Sequence, residues 1–107
     1  MHLLDDGHTV ELDLHRVRVA EAARLFEEAA VLAAERGRQT LRVVHGHSTT
    51  DPRGEAVTIK RAVHDVLASG YLDHYVASWL DRGGSTLVGL LPAPQPDARR
   101  LRLADLS

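Results

Sequence analysis

One pattern constrains the fold of this chain more than any other: a strand pattern, a helix pattern and a second strand pattern follow one another closely. Residues 9–15 alternate between polar and apolar, which is the two-residue period of a β-strand. Residues 18–36 carry an apolar stripe at spacings of three and four, which is typical of an α-helix. Residues 39–45 are rich in β-branched side chains. Such a β-α-β unit predicts two parallel neighbouring strands.

The rest of the chain predicts a second helix and a hairpin. Residues 46–54 contain glycine, proline and small polar residues, which indicate a loop. An apolar stripe over residues 56–69 predicts the second helix. Residues 72–80 and 85–91 have strand character, and the glycines between them suit a hairpin turn. The order β-α-β-α-β-β predicts a two-layer α/β domain with a mixed four-stranded sheet and two helices on one face.

This domain is expected to span residues 9–91, which is most of a chain of 107 residues. A polar lead-in occupies residues 1–8. The prolines in residues 92–107 end regular structure, so we expect either a loose tail or a short added strand around Arg100 to Leu103. The length suffices for one hydrophobic core but not for two.

Composition excludes several classes of protein. Thirteen Lys and Arg against 15 Asp and Glu give a net charge of −2, so contact with nucleic acid requires a local patch rather than bulk positive charge. No apolar run approaches the roughly 18 residues of a membrane span, and the N-terminus lacks the pattern of a signal peptide. The chain contains no cysteine, which excludes disulfides and thiolate chemistry. We expect a cytoplasmic domain without a membrane partner, and the sequence does not indicate its oligomeric state.

Asp13, His15 and His45 are the side chains most suited to chemistry. Asp13 and His15 share one face of the first predicted strand, and His45 ends the parallel neighbour. The carboxyl ends of the two strands bring all three to one rim of the sheet, where α/β sheets commonly bind ligands. Two imidazoles suit general acid–base catalysis, with Asp13 orienting one of them. Gly46 allows the backbone to approach a phosphate, so the residues favour a phosphodiester.

The same residues have simpler interpretations. Asp13 could cap the following turn, with His15 an ordinary edge residue. His45 and Gly46 could only end a strand in a tight turn. Asp13, His15 and His45 could also hold a divalent ion, but no dense metal-ligand spacing supports this, so no metal ligand is assigned.

A positive patch could face the phosphates of a nucleic acid. Its candidate members lie in or beside the two loops that leave the first two strands, and they are Arg16, Arg18, His47, Arg53, Lys60 and Arg61. Scattered basic residues on a solvated surface are the more common explanation of such a set.

The remaining histidines and the aromatic residues indicate less about the function. His64 and His74 are expected on a helix surface and a strand surface. Tyr71, Tyr75 and Trp79 could stack on bases if they are exposed. Tyr75 and Trp79 share a predicted strand face, however, and could equally be covered by the core.

The ordered motifs resemble those of the Smr, or small MutS-related, domain family over about residues 9–91. The matching segments are Leu12-Asp13-Leu14-His15, Val19-Ala20-Glu21-Ala22, Val43-Val44-His45-Gly46, Ile59-Lys60-Arg61-Ala62-Val63 with Leu67, and Gly84-Ser85-Thr86-Leu87-Val88. The resemblance implies a fold like that of the C-terminal domain of a bacterial translation initiation factor. It also implies nucleic-acid binding, often with nicking or RNA-cleaving endonuclease activity. The site residues that it implies are Asp13, His15, His45 and Gly46, with Gly84 and Thr86 shaping the neighbouring strand end.

Two motifs depart from the family pattern. The usual His-Gly-Lys/Arg-Gly is His45-Gly46-His47-Ser48 here, which exchanges a fixed positive charge for a titratable one and loses the second glycine. The usual Gly-Gly-x-Gly-Ala-Thr is shortened, because Gly83-Gly84 leads directly into Ser85-Thr86. Both changes could mean altered specificity or lost catalysis.

Three hypotheses follow for function. The first is a Smr-like endonuclease that cleaves single-stranded or branched nucleic acid, RNA slightly preferred over DNA, with His15 and His45 as acid and base. Attack by the 2′-hydroxyl of RNA would need no metal, whereas attack by water on DNA would use Mg²⁺ or Mn²⁺. The second is a non-catalytic module that binds structured nucleic acid or a partner protein. The third is metal-dependent hydrolysis of a smaller phosphoester.

Overall fold

The chain folds as a mixed five-stranded sheet with two helices, in a computed structural model that describes residues 1–46 and 58–106. In chain order the elements are β1 (His2–Asp5), β2 (Thr9–Asp13), α1 (Val19–Glu35), β3 (Thr40–Val44), α2 (Ile59–Ala68), β4 (Val76–Asp81), β5 (Ser85–Leu90) and a 3₁₀ helix (Leu103–Asp105). The strand order across the sheet is β1-β2-β3-β5-β4. β2 and β3 are parallel, and every other neighbouring pair in this order is antiparallel.

The core lies between one face of the sheet and both helices. Alternation along β2, β3 and β5 turns a set of fully buried side chains toward the helices: Val10, Leu12, Leu41, Val43 and Val88. The helices meet them with their apolar stripes, which include Phe26, Ala29 and Ala33 on α1 and Val63 and Leu67 on α2. We call this side of the sheet the helix face, and the side that carries Glu11, Asp13 and Arg42 the open face. No helix among the described residues is long and apolar enough to cross a membrane.

The predicted fold class is confirmed, with one strand more than the four that were expected. The lead-in contains β1, which pairs antiparallel with β2. Its four residues are exposed or half-buried, so backbone hydrogen bonds to β2, and not an apolar pattern, define the strand. Gly7, with φ +95°, closes the hairpin between the two strands.

β2 ends at Asp13 rather than at residue 15, so His15 lies in the turn that follows the strand. Two further predicted boundaries also differ. α2 begins at Ile59, and residues 56 and 57 of the predicted helix lie outside the described part of the chain. β4 begins at Val76 rather than at Leu72, because turns follow Gly70 and the carbonyl of Leu72 accepts the N–H groups of Tyr75 and Val76. Leu72 is buried in the core, which explains the apolar character of this turn.

The C-terminal stretch is held to the domain by a buried ion pair. The side chains of Arg38 and Asp5 are 1% and 0% exposed, with Nε and Oδ1 2.8 Å apart. The other Asp5 oxygen accepts the N–H of Leu101 at 2.7 Å. Three of the other guanidinium hydrogens go to the backbone carbonyls of Arg36, Asp97 and Arg99. Residues 92–106 therefore pack on the domain without adding a strand.

Candidate functional site

The predicted catalytic side chains lie at one end of the sheet but on its two faces. Asp13 pairs with Val44 across β2 and β3, so His45 is level with Leu14, a core residue on the helix face. Asp13 consequently belongs to the open face and His45 to the helix face. The structure thus divides the expected cluster into two sets. The open-face set is His2, Glu11, Asp13, His15 and Arg42, and the helix-face set is His45, Lys60, His64, Trp79, Asp81 and Thr86.

Asp13 and His15 form a hydrogen-bonded pair in the open-face set. His15 Nδ1 contacts Asp13 Oδ1, and the same oxygen accepts the backbone N–H of His15 at 3.0 Å. The Asp13 side chain is 11% exposed and that of His15 is 50% exposed. Because Nδ1 faces the carboxylate, Nε2 of this half-exposed ring is directed away from Asp13.

The Asp13 carboxylate is ionised near neutral pH. Burial raises the pKa of Asp13, but the hydrogen bonds from the ring and backbone of His15, together with the charges of His15 and His2, outweigh it and hold the pKa below 3.8. An ionised carboxylate behind an imidazole can orient the ring and stabilise its protonated form. The pair can therefore accept and return a proton.

β1 contributes a second histidine to the open-face set. His2 is the cross-strand neighbour of Asp13, and its Nδ1 lies 3.6 Å from Asp13 Oδ2. Its Nε2 lies 3.3 Å from Glu11 Oε2, and Glu11 in turn pairs with Arg42. Sequence reasoning missed His2 because it did not predict β1.

The turn after β2 brings fixed positive charge close to His15. Arg16 and Arg18 both lie in this turn and are exposed. Arg16 has φ +69°, in the left-handed region that a side chain with a Cβ adopts at a penalty of about 1–2 kcal/mol. Strain of this kind is often retained at functional sites.

On the helix face, His45, Thr86 and His64 form a continuous chain of hydrogen bonds. His45 Nδ1 lies 2.7 Å from the carbonyl oxygen of Gly46, and His45 Nε2 lies 2.8 Å from Thr86 Oγ1. Thr86 Oγ1 also lies 2.7 Å from His64 Nε2. His45 is 7% exposed and Thr86 is fully buried. Both ring nitrogens of His45 are therefore engaged by groups of the protein.

Burial lowers the pKa of His45 and the pKa of His64. For His45, the hydrogen bond to Gly46 and the carboxylate of Asp81 oppose the shift, whereas the charge that His64 carries when protonated and the charge of Lys60 reinforce it. For His64, the carboxylate of Asp81 opposes the shift and Lys60 reinforces it. Both rings are thus neutral near pH 7.

The comparison with known families decides the identity of the fold. The family model described as the Smr domain matches residues 12–88 of the 107-residue chain. The chain belongs to the Smr family. Membership implies binding of nucleic acid. No curated protein matches the chain.

In this Smr domain, the backbone that follows β3 is hydrogen-bonded to the residue that precedes β5. The carbonyl of Gly84 accepts the N–H groups of His45 and Gly46 at 3.1 and 3.0 Å. Gly46 has φ +92°, a conformation that favours glycine. The predicted members Gly84 and Thr86 thus both contact the His45-Gly46 motif.

Only part of the predicted basic patch lies among the described residues. Lys60 pairs with Asp81 of β4 at 3.3 Å, and Arg61 is exposed on α2. Two predicted members of the patch, His47 and Arg53, lie outside the described residues, as does Ser48, which was also predicted to bind nucleic acid. Within residues 1–46 and 58–106, no group of three or more His, Cys, Asp or Glu side chains could hold a metal ion.

The prediction that His64 lies on the helix surface is wrong, because its ring is half-buried between Thr86 and Trp79. The centroids of the His64 and Trp79 rings are 4.8 Å apart, and Trp79 is 38% exposed. A weak signal was available, since His64 directly follows Val63 of the core stripe. Which end of the sheet α2 covers depends on tertiary packing. The position of His64 beside Val63 in the sequence carries no information about that packing. His74 is exposed, but in the turn before β4.

Proposed function

We propose that this Smr domain is an endonuclease that cleaves single-stranded or branched nucleic acid, with RNA as the preferred substrate. One observation carries the proposal: the ionised Asp13 carboxylate lies behind the half-exposed ring of His15. A carboxylate–imidazole pair is a common arrangement for proton transfer. The exposed Arg16 and Arg18 of the next turn support binding of the phosphate backbone beside it.

In RNA, the nucleophile is the 2′-hydroxyl next to the scissile phosphate. His15 Nε2 takes its proton as the oxygen attacks phosphorus, and the P–O5′ bond breaks. The leaving oxygen receives a proton, which gives a 2′,3′-cyclic phosphate and a 5′-hydroxyl. Asp13 stabilises the imidazolium that forms on His15. In DNA, water is the nucleophile, and Mg²⁺ or Mn²⁺ could activate it.

The roles of the remaining histidines follow from their hydrogen bonds. His45 was predicted as the partner of His15 in acid–base catalysis. Because both its ring nitrogens are bonded inside the protein, we assign His45 to holding the Gly46 peptide. The proton for the leaving oxygen then comes from the open face. His2, across Asp13 from His15, is the imidazole that we assign to this step, because its side chain is 50% exposed and a substrate can displace its 3.3 Å contact with Glu11, whereas His45 is 7% exposed.

A second function is favoured by a different observation. Glu11 and Asp13 place two carboxylates in the open-face set, and carboxylates repel phosphates. A module that binds structured nucleic acid through Arg16, Arg18 and Arg61, without cutting it, would tolerate these charges. Binding and cleavage must therefore be measured separately.

The test incubates the purified protein with labelled RNA, single-stranded DNA and branched DNA, each in EDTA and with Mg²⁺ or Mn²⁺. The control is the Asp13→Asn/His15→Ala double variant. We expect RNA cleavage in EDTA that the double variant lacks. Equal cleavage by the double variant would reveal a contaminating nuclease, and binding without cleavage would establish the second function.

A further inference from the structure

We infer that His64 is a positioning residue of the candidate site. Through the hydroxyl of Thr86, it holds His45 in the form that donates a hydrogen bond to the carbonyl of Gly46. Its importance for cleavage rests on the proposed function, whereas its effect on His45 does not.

The direction of each hydrogen bond in the chain follows from the carbonyl at its end. A carbonyl oxygen only accepts, so His45 Nδ1 carries a proton and donates to Gly46. In a neutral ring, Nε2 then has a lone pair, and the Thr86 hydroxyl donates to it. The proton of Thr86 is thereby used, so its oxygen accepts from His64 Nε2. The order of donation is His64 to Thr86 to His45 to Gly46.

His64 makes this order the favoured one. Thr86 is fully buried, so its hydroxyl exchanges partners within the protein rather than with bulk water. Without the N–H of His64, the hydroxyl oxygen could accept from His45 Nε2 instead. His45 Nδ1 would then lose its proton and could no longer donate to Gly46. Hydrogen bonds that point the same way along a chain also reinforce one another.

The groups around His64 preserve its donor role. Its Nε2 carries a proton in the required neutral form and also in the protonated form, so the bond to Thr86 survives titration of the ring. The charged or titratable groups that act on the ring are Lys60 and Asp65 of α2, Asp81 of β4 and His45 after β3. Trp79 packs against the ring at a centroid distance of 4.8 Å and limits its rotation.

The proton on His45 Nδ1 determines whether the carbonyl of Gly46 is held in place. Its N–H is held by the carbonyl of Gly84 at 3.0 Å, and its C=O is held by His45 at 2.7 Å. Both ends of this residue are therefore fixed where the chain leaves β3. Loss of the His64 donor would release the carbonyl end alone.

The direct test is the nitrogen-15 NMR spectrum of the His45 ring in the free protein near neutral pH. His64→Gln keeps an N–H donor, and His64→Leu removes it. We expect the Nδ1-protonated pattern in the wild type and in His64→Gln, and a mixture of tautomers in His64→Leu. An unchanged pattern in His64→Leu would overturn the inference. If His64→Leu does not fold, Thr86→Ser and Thr86→Val replace the pair, and a wild-type pattern in Thr86→Val would overturn it equally.

Cleavage of single-stranded RNA supplies the functional comparison. We expect His64→Leu to cleave about tenfold to a hundredfold more slowly, which is the size of effect that small misplacements near a site produce. His64→Gln should restore the rate. A wild-type rate in a His64→Leu protein with altered tautomers would overturn the positioning role. Absence of cleavage by the wild type would instead refute the proposed function and leave the NMR result standing.

Discussion

The ring nitrogen Nε2 of His45 lies 2.8 Å from the hydroxyl oxygen of Thr86, on the helix face of the sheet. His15 belongs to the open face, where Asp13 contacts its ring. The two histidines expected to act as acid and base therefore have different surroundings. One is buried and doubly hydrogen-bonded, and the other is half-exposed beside an ionised carboxylate. This difference is the physical basis for assigning proton transfer to the open-face set.

The stability of the domain should fall as the pH drops below 6.5, the ordinary pKa of histidine. Burial lowers the pKa values of His45 and His64 in the folded state, so the unfolded chain binds protons at a higher pH than the folded one. The free energy of unfolding therefore decreases as the pH falls from 6.5 to the lowered pKa values. Urea unfolding at several pH values measures the effect, and a His45→Gln/His64→Gln variant should lack this part of the pH dependence.

Trp79 offers an independent check on that titration. It is the one tryptophan of the chain and packs against His64, and a protonated imidazole quenches indole fluorescence. The emission of the folded protein should drop as His64 becomes protonated and should stay constant in His64→Gln. The same drop in His64→Gln would mean that another group causes it.

Loss of the Arg38 side chain should destabilise the fold strongly. Arg38→Ala leaves the buried carboxylate of Asp5 without its ionic partner, and such changes cost about 3–5 kcal/mol. Arg42→Ala is the matched control, since Arg42 pairs with Glu11 where the side chains are 45% and 29% exposed, and it should cost less than about 1 kcal/mol. Urea unfolding compares the two, and equal losses would contradict the role given to Arg38.

Much of this architecture could be predicted because its signals are local. The alternation in β2 and the apolar stripe of α1 are properties of short segments, and both elements formed within the predicted ranges, although β2 ends two residues before the predicted end. β1 carries no such pattern, since its partner β2 supplies the hydrogen bonds that define it. The face on which His45 lies depends on the register between β2 and β3, and a shift of one residue would reverse it. His64 joins His45 only because α2 packs over that end of the sheet.

Arg16→Gly should separate backbone strain from binding. Glycine adopts φ +69° without the strain that arginine bears, although its freedom in the unfolded chain offsets part of the gain. We expect unchanged or slightly higher stability together with weaker RNA binding. If Arg16 contacts a phosphate, the slope of log affinity against log salt concentration should fall by about one. An unchanged slope in a filter-binding titration would remove Arg16 from the binding surface.

His2→Gln should slow RNA cleavage without weakening binding. The leaving oxygen would lose its proton donor, and contributions of this kind are about a hundredfold or more. Single-turnover cleavage rates and a filter-binding titration measure the two effects. His8→Gln, in the exposed β1–β2 turn, is the control and should behave as the wild type. Equal rates for the two variants would exclude His2 as the proton donor.

The single-turnover rate of RNA cleavage by His15→Ala in EDTA shows whether the Asp13–His15 pair performs the chemistry. His74→Ala, which removes an exposed histidine from the turn before β4, is the matched control. We expect His15→Ala to bind RNA as the wild type does but to cleave it at least about a hundredfold more slowly. We expect a wild-type rate for His74→Ala. A wild-type cleavage rate in His15→Ala would rule out the Asp13–His15 pair as the catalytic pair.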